Sequence, residues 1–337
     1  MQVNFSEEQK KSELQHWHSI IAFFLVAILF GSIPPVTKFA IASMSPAVLL
    51  STRYTIAVFL FIPLIVKSVL NYNPIHLCRS QLPALPMIST EIIVPETNSV
   101  VSQALLKDSV VLGILTFGIH LCLSFGVQTI SANRASFLFG LCIILTSLLD
   151  FIYHKRFSLR IFSAAVISFG GSGLMSWEQS HEPIIGTLWL LGAIACEATL
   201  LILLEDMAPR HDPLILSILR LSVAALFSLL LAIPELSNQL TIIQDNWMPL
   251  LYLGAVTAAT SWLVIFALQT LLAAEAALIQ ALEPVFGAMI SFILLGEVFS
   301  WRGLVGSGLI LTGIVLAILT TSNGLAHFFT CWSVKNG

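Results

Sequence analysis

The chain has 337 residues, 57% of them hydrophobic and 10% charged, with a formal net charge of −3 and a mean hydropathy of +0.94. Soluble domains carry about 25% charged residues, so this composition excludes an ordinary water-solvated globule and makes lipid the outer solvent. The slightly acidic balance speaks against a nucleic-acid partner, and no Gly-rich phosphate loop or metal-type Cys/His spacing points to a cofactor or a metal.

Residues 1–19 mix Glu7, Glu8 and Glu13 with Lys10 and Lys11 and read as a cytoplasmic N-tail. The apolar run behind them is too long for the core of a cleavable signal. Ten windows then have the length and apolarity of a membrane-spanning helix: 20–42, 47–69, 109–130, 134–153, 159–177, 184–205, 213–234, 248–271, 274–296 and 302–321. The runs are continuous and lack the period of two that marks barrel strands. Between the second and third windows, residues 70–108 carry Pro74, Pro83, Pro86 and Pro95 and read as a cytoplasmic insertion too short to build its own core. Residues 322–337 form a cytoplasmic C-tail. With both termini inside, ten of fifteen Lys and Arg fall on the cytoplasmic side, and only Lys38, Arg134 and Arg302 fall outside. That is a positive-inside distribution.

The chain also repeats itself. Pro46–Arg53 aligns with Pro213–Arg220 at an offset of 167. Gln128-Thr129 aligns with Gln269-Thr270 at 141, and Phe157–Arg160 with Phe299–Arg302 at 142. The drop in offset matches extra residues in the first half, where the 70–108 insertion lies. The expected fold is therefore an all-α membrane protein of ten transmembrane helices, arranged as two five-helix repeats over 20–177 and 178–321. Five is odd, so the second copy enters from the opposite side. Inverted repeats of this kind place a substrate site near mid-bilayer, between the halves.

Some local sequences resemble a known family. Phe30-Gly31-Ser32 with Lys38, Ser45-Pro46 and Arg53, then Asn133–Leu138, then Leu282–Phe286 with Leu295-Gly296-Glu297, are similar to stretches of the EamA-type drug/metabolite transporters. The resemblance covers nearly the whole chain outside the N-tail, the insertion and the last fifteen or so residues. It implies ten spans with both ends cytoplasmic and proton-coupled export of small metabolites such as amino acids. The lack of any organelle signal favours the plasma (inner) membrane, and the protein is expected as monomer or homodimer. Sugar-phosphate or nucleotide-sugar exchange is the alternative within the superfamily, and a non-transporting membrane scaffold the alternative outside it. An intramembrane enzyme would need a nucleophile or metal cluster at matching depth, and the sequence offers none.

Ionisable residues inside a span cost about 2.5–3.5 kcal/mol to insert, so they face a cavity or a partner. Three titratable residues fall centrally: His120, Glu197 and Glu283. They are the candidates for the substrate and proton pathway, with hydrogen bonding between helices as the structural alternative. Pro284 after Glu283 should leave a helix carbonyl free. Trp262 beside Ser261 is a candidate cavity wall, and equally a packed Trp. The repeat mates Arg53 and Arg220 are candidates for gating or anion contact, and equally for snorkelling off the midplane. Lys38 is expected to snorkel, Glu297 to cap a helix, and Gln128 and Gln269 to join helices. Trp17, Trp177, Trp247 and Trp301 read as interfacial anchors. Gly303, Ser307, Gly308 and Thr312 read as small-residue helix packing.

Overall fold

A computed structural model describes residues 2–70, 102–154, 183–271, 273–280 and 282–296, with short stretches between 163 and 174 and between 301 and 313. Most of the windows 159–177 and 302–321 lies outside the described residues, as do Glu297, Trp177, Arg302, Gly303, residues 71–101 and the C-tail.

The fold is all-helical among the described residues. Its helices are α1 (Gln2–Ile41), α2 (Pro46–Leu70), α3 (Gln103–Thr129), α4 (Ala132–Phe139), α5 (Cys142–His154) and α6 (Ile184–Met207), followed by α7 (Pro213–Leu236), α8 (Leu240–Asp245), α9 (Trp247–Ala267), α10 (Ala273–Gln280) and α11 (Glu283–Leu295). Seven segments among the described residues are long and apolar enough to cross a membrane, α4 with α5 counting as one. Outward-facing Phe59, Ile184 and Ile293 are 63%, 76% and 78% exposed, which suits a lipid-facing surface.

Local chemistry explains the helix starts. Ser45-Pro46 opens α2 and Asp212-Pro213 opens α7 at the repeat-related position. The Ser45 Oγ accepts from the Val48 amide, and the Asp212 carboxylate from the amides of Leu214 and Ile215. In both, proline takes the first helical position, where no N–H is needed. Two boundaries differ from the sequence expectation. The helix of the third window begins at Gln103, capped by Ser102, which shortens the insertion. The backbone of the N-tail is helical from Gln2 and continuous with α1.

The fourth and ninth windows are each broken, which the apolar pattern alone does not reveal. Both are split into a helix of eight residues and one of thirteen. Ala132–Phe139 and Ala273–Gln280 differ by 141 at both ends, and so do Cys142–His154 and Glu283–Leu295. The interruption thus falls at one place in the repeat, although the side chains there differ, Phe139 against Gln280 and Cys142 against Glu283.

Helix packing obeys the same exchange of halves. α3 packs on α6 as α9 packs on α1, α3 on α7 as α9 on α2, and α2 on its own mate α7. Two close approaches are themselves mates. A Cβ on Gly113 would lie 2.6 Å from Val223 Cβ and 2.8 Å from the Arg220 carbonyl oxygen; one on Gly254 would lie 2.7 Å from Ile56 Cβ and 3.2 Å from the Arg53 carbonyl oxygen. Lipid offers no hydrophobic drive between helices, so close backbone contact supplies the dispersion that holds them. At Gly308 a Cβ would meet nothing within 4 Å among the described residues, while Ser307 beside it is buried.

Candidate functional site

α1, α3, α6 and the two broken helices converge on a cavity of about 30 Å³. By size it holds about two waters, so the cavity is closed to an organic molecule in this state. Its walls are Phe30, Ile33 and Pro34 from α1, Ile119, His120 and Leu123 from α3, Phe139 from α4, Glu197 from α6, and Gln280 and Glu283 from the break in the ninth window. Both halves of the chain contribute.

The acidic wall has a specific construction. Glu283 is the first residue of α11, where free backbone amides and the helix dipole favour a carboxylate. Gln280 closes α10, three residues earlier. Its amide nitrogen lies 3.3 Å from Glu283 Oε2 and 3.5 Å from Glu197 Oε1, so one neutral NH₂ group bridges both carboxylates. All three side chains are buried. Their repeat mates in the first half are Cys142, Phe139 and Phe30, all apolar. Phe30 and Phe139 line the same cavity. Divergence between the copies has given the cavity one acidic wall and one aromatic wall.

His120 is anchored rather than loose. Its Nδ1 lies 2.7 Å from the Tyr54 hydroxyl and 3.0 Å from the Thr116 carbonyl oxygen, and Tyr54 also donates to that carbonyl at 2.9 Å. Nε2 is the ring nitrogen left for a cavity occupant. The ninth window is interrupted just ahead of Pro284, where a helix-disturbing proline leads one to expect it, but no interior carbonyl is set free there. Pro284 is the second residue of α11, where its missing N–H breaks no helix bond. Pro34 and Pro35 sit inside α1, so the carbonyls of Phe30 and Gly31 lack their i+4 donors beside the cavity.

Other sequence candidates lie apart from it. Trp262 is 38% exposed and stacks on Phe266 with ring centroids 5.5 Å apart; it is not a cavity wall. Arg53 and Arg220 do not snorkel, being 0% and 4% exposed. Arg53 Nε donates to Thr257 Oγ1, and Arg220 Nη2 to Ser261 Oγ at 2.7 Å. Thr257 is the middle residue of α9, so the arginines lie deep rather than near the span ends. Lys38 does not snorkel either: its ammonium donates to the Ile130 carbonyl at 2.6 Å, at the C-terminus of α3. Its mate Glu205 accepts from the Ala273 amide at 3.0 Å, at the N-terminus of α10. Gln269 joins segments through the His211 carbonyl, Gln128 is exposed, and Trp17, Trp247 and Trp301 are exposed.

Sequence reasoning missed Gln280, Tyr54, Glu205 and the Pro34-Pro35 effect. For Gln280 a signal existed, its position three residues before Glu283, which puts both on one helical face.

The same family's sequence pattern matches twice, over residues 17–177 and 184–319. The chain belongs to the EamA-like transporter family. These spans coincide with the two halves, so the EamA-like repeat is present in two copies. One solved crystal structure shares the fold with a TM-score of 0.61 at 14% identity, covering 90% of this chain and 97% of that one. No curated protein matches the chain. Membership makes this an integral membrane protein of a family of small-molecule transporters, and the break in the ninth window places Gln280 and Glu283 inside the EamA-like bundle.

Proposed function

We propose that the protein is a secondary active transporter that exports a small organic metabolite, amino acid-like or drug-like, by proton-coupled alternating access. The observation that carries this reading is the Glu197–Gln280–Glu283 wall in a cavity shared by the two halves. A carrier needs a site both halves reach, so that rocking one against the other changes its exposure. Two carboxylates bridged by a neutral amide are costly to bury as anions. A proton held by the pair relieves that cost, and a cationic or hydrogen-bonding cargo relieves it equally. Competition between the two is the simplest form of proton coupling. The aromatic wall accommodates the apolar body of an organic cargo.

In this reading the repeats are inverted, both termini are cytoplasmic, and the protein resides in the plasma membrane. The odd span count and the basic loops support that orientation. The cavity is too small for cargo, so transport requires the helices to part at one end.

The test is Glu283→Gln, which keeps the shape and removes the titrating proton. Metabolite profiling of medium from overproducing cells should show one or more compounds raised by the parent chain and absent with the variant, at equal membrane level. Export unchanged in Glu283→Gln and in Glu197→Gln would sink the coupling role.

A further inference from the structure

Deep in the bundle, outside the cavity walls, Arg53 and Arg220 enter one interior from the two halves. They are repeat mates on the packed pair α2 and α7. Their hydroxyl partners Thr257 and Ser261 are four residues apart on α9, one turn along one face, where Cβ atoms lie about 5–6 Å apart. Both guanidiniums are within electrostatic reach of Tyr54 and His120. Thr116 and His120 on α3 are the mates of Thr257 and Ser261 on α9, so polar residues from both copies surround the two cations.

The two charges are under-compensated: Glu197 is within electrostatic reach of Arg220 without a direct contact, and Arg53 has no such carboxylate. Arg53 Nη1 and Nη2 and Arg220 Nε and Nη1 are buried and without a hydrogen-bond partner. Among the described residues neither guanidinium makes an ion pair. Two buried like charges, each only partly hydrogen-bonded, are unfavourable unless an anion joins them. The unpaired atoms also indicate which anion. Nη1 and Nη2 of Arg53 form the end-on fork that receives both oxygens of a carboxylate, and its Nε is already held by Thr257.

We propose that Arg53 and Arg220 together form a carboxylate-binding site, made of residues other than those of the acidic wall and drawing on both repeats. The carboxylate has two sources, the cargo itself or a small free carboxylate ion. The site is a statement about binding, so it stands or falls independently of the transport reading.

The experiment follows thermal unfolding of the purified full chain in detergent, with sodium acetate replacing sodium chloride at fixed ionic strength. Acetate should raise the Tm by several degrees, because a ligand held only by the folded state stabilises it. Arg220→Gln should need about 10-fold or more acetate for the same effect, given the strength of charge-assisted hydrogen bonds. Arg53→Lys keeps the charge, and so the fold, but lacks the planar fork; it should lose the preference for acetate over chloride. Efflux of labelled acetate from vesicles separates the sources. Protein-dependent efflux makes the carboxylate part of the cargo, binding without efflux makes it a resident ion, and both leave the site standing. Equal Tm in acetate and chloride overturns the proposal, as does an acetate response that survives in both variants. So does an Arg53→Met chain more stable than the parent in acetate, since that outcome means the arginine carries an uncompensated charge.

Discussion

At the scale of single residues, the candidate site depends on neutral groups as much as on charged ones. Gln280 is the only hydrogen-bond link between Glu197 and Glu283 among the described residues. Gln280→Leu should leave both carboxylates short of a donor, at a cost of about 1–3 kcal/mol, read as a lower Tm, and should reduce export. Gln280→Asn is one methylene too short to reach both partners and should fall between. A chain unaffected by either change would show that the bridge is incidental. Tyr54→Phe removes the hydroxyl shared by His120 Nδ1 and the Thr116 carbonyl, leaving those two bonded only to each other, and should cost about 1 kcal/mol. This is also where sequence legibility divides. His120, Glu197 and Glu283 stood out because ionisable groups are rare in apolar runs. A Gln or a Tyr in such a run is commonplace, and its role exists only once another helix supplies the partner. The two readings of Trp262 stay level in the sequence for a related reason: position along a window gives depth, whereas each residue turns the helix by about 100°. A central Trp can therefore face lipid as readily as a cavity.

At the scale of helices, the two copies solve one junction with opposite charges. Lys38 binds the carbonyl that ends α3, and its mate Glu205 binds the amide that starts α10. Each sign suits its helix terminus, since cations favour C-termini and anions N-termini. Glu205→Ala should cost about 0.5–2 kcal/mol, the range for a lost helix cap. Glu205→Lys should cost more, because it turns a favourable charge into an opposed one at the same amide. If thermal unfolding ranks the two the other way, the junction is held by something other than this contact. The broken helices were only partly legible, for a different reason. In the first copy Ser136–Cys142 contains no strong breaker apart from Gly140, so that interruption reflects packing between helices, whereas in the second copy Pro284, just after Ala277–Glu283, is a local signal. The repeat itself was legible, because whole motifs recur at a fixed offset. Gly254→Val tests the packing it implies: the new side chain would meet Ile56 and the Arg53 carbonyl and should cost about 1–3 kcal/mol by overpacking.

At the scale of the whole molecule, everything turns on the direction in which the second copy is threaded. Contacts between mates show that the halves are exchangeable, and the span count and basic loops argue that exchange also reverses the membrane side. One pair of positions tests this. Ser43, between α1 and α2, and Arg210, between α6 and α7, are repeat mates at the offset of 167, and both are exposed. In a chain whose copies run the same way, such mates face one side; in an inverted chain they face opposite sides. Ser43→Cys should react with a membrane-impermeant maleimide on intact cells. Arg210→Cys should react only after permeabilisation, each compared with the parent chain because it has five cysteines of its own, Cys78, Cys122, Cys142, Cys196 and Cys331. The opposite assignment of both residues would keep the inversion and flip the termini. Labelling of both from one side would remove the inversion. With it would go the mechanism in which one site, walled by both copies, is offered to each side of the membrane in turn.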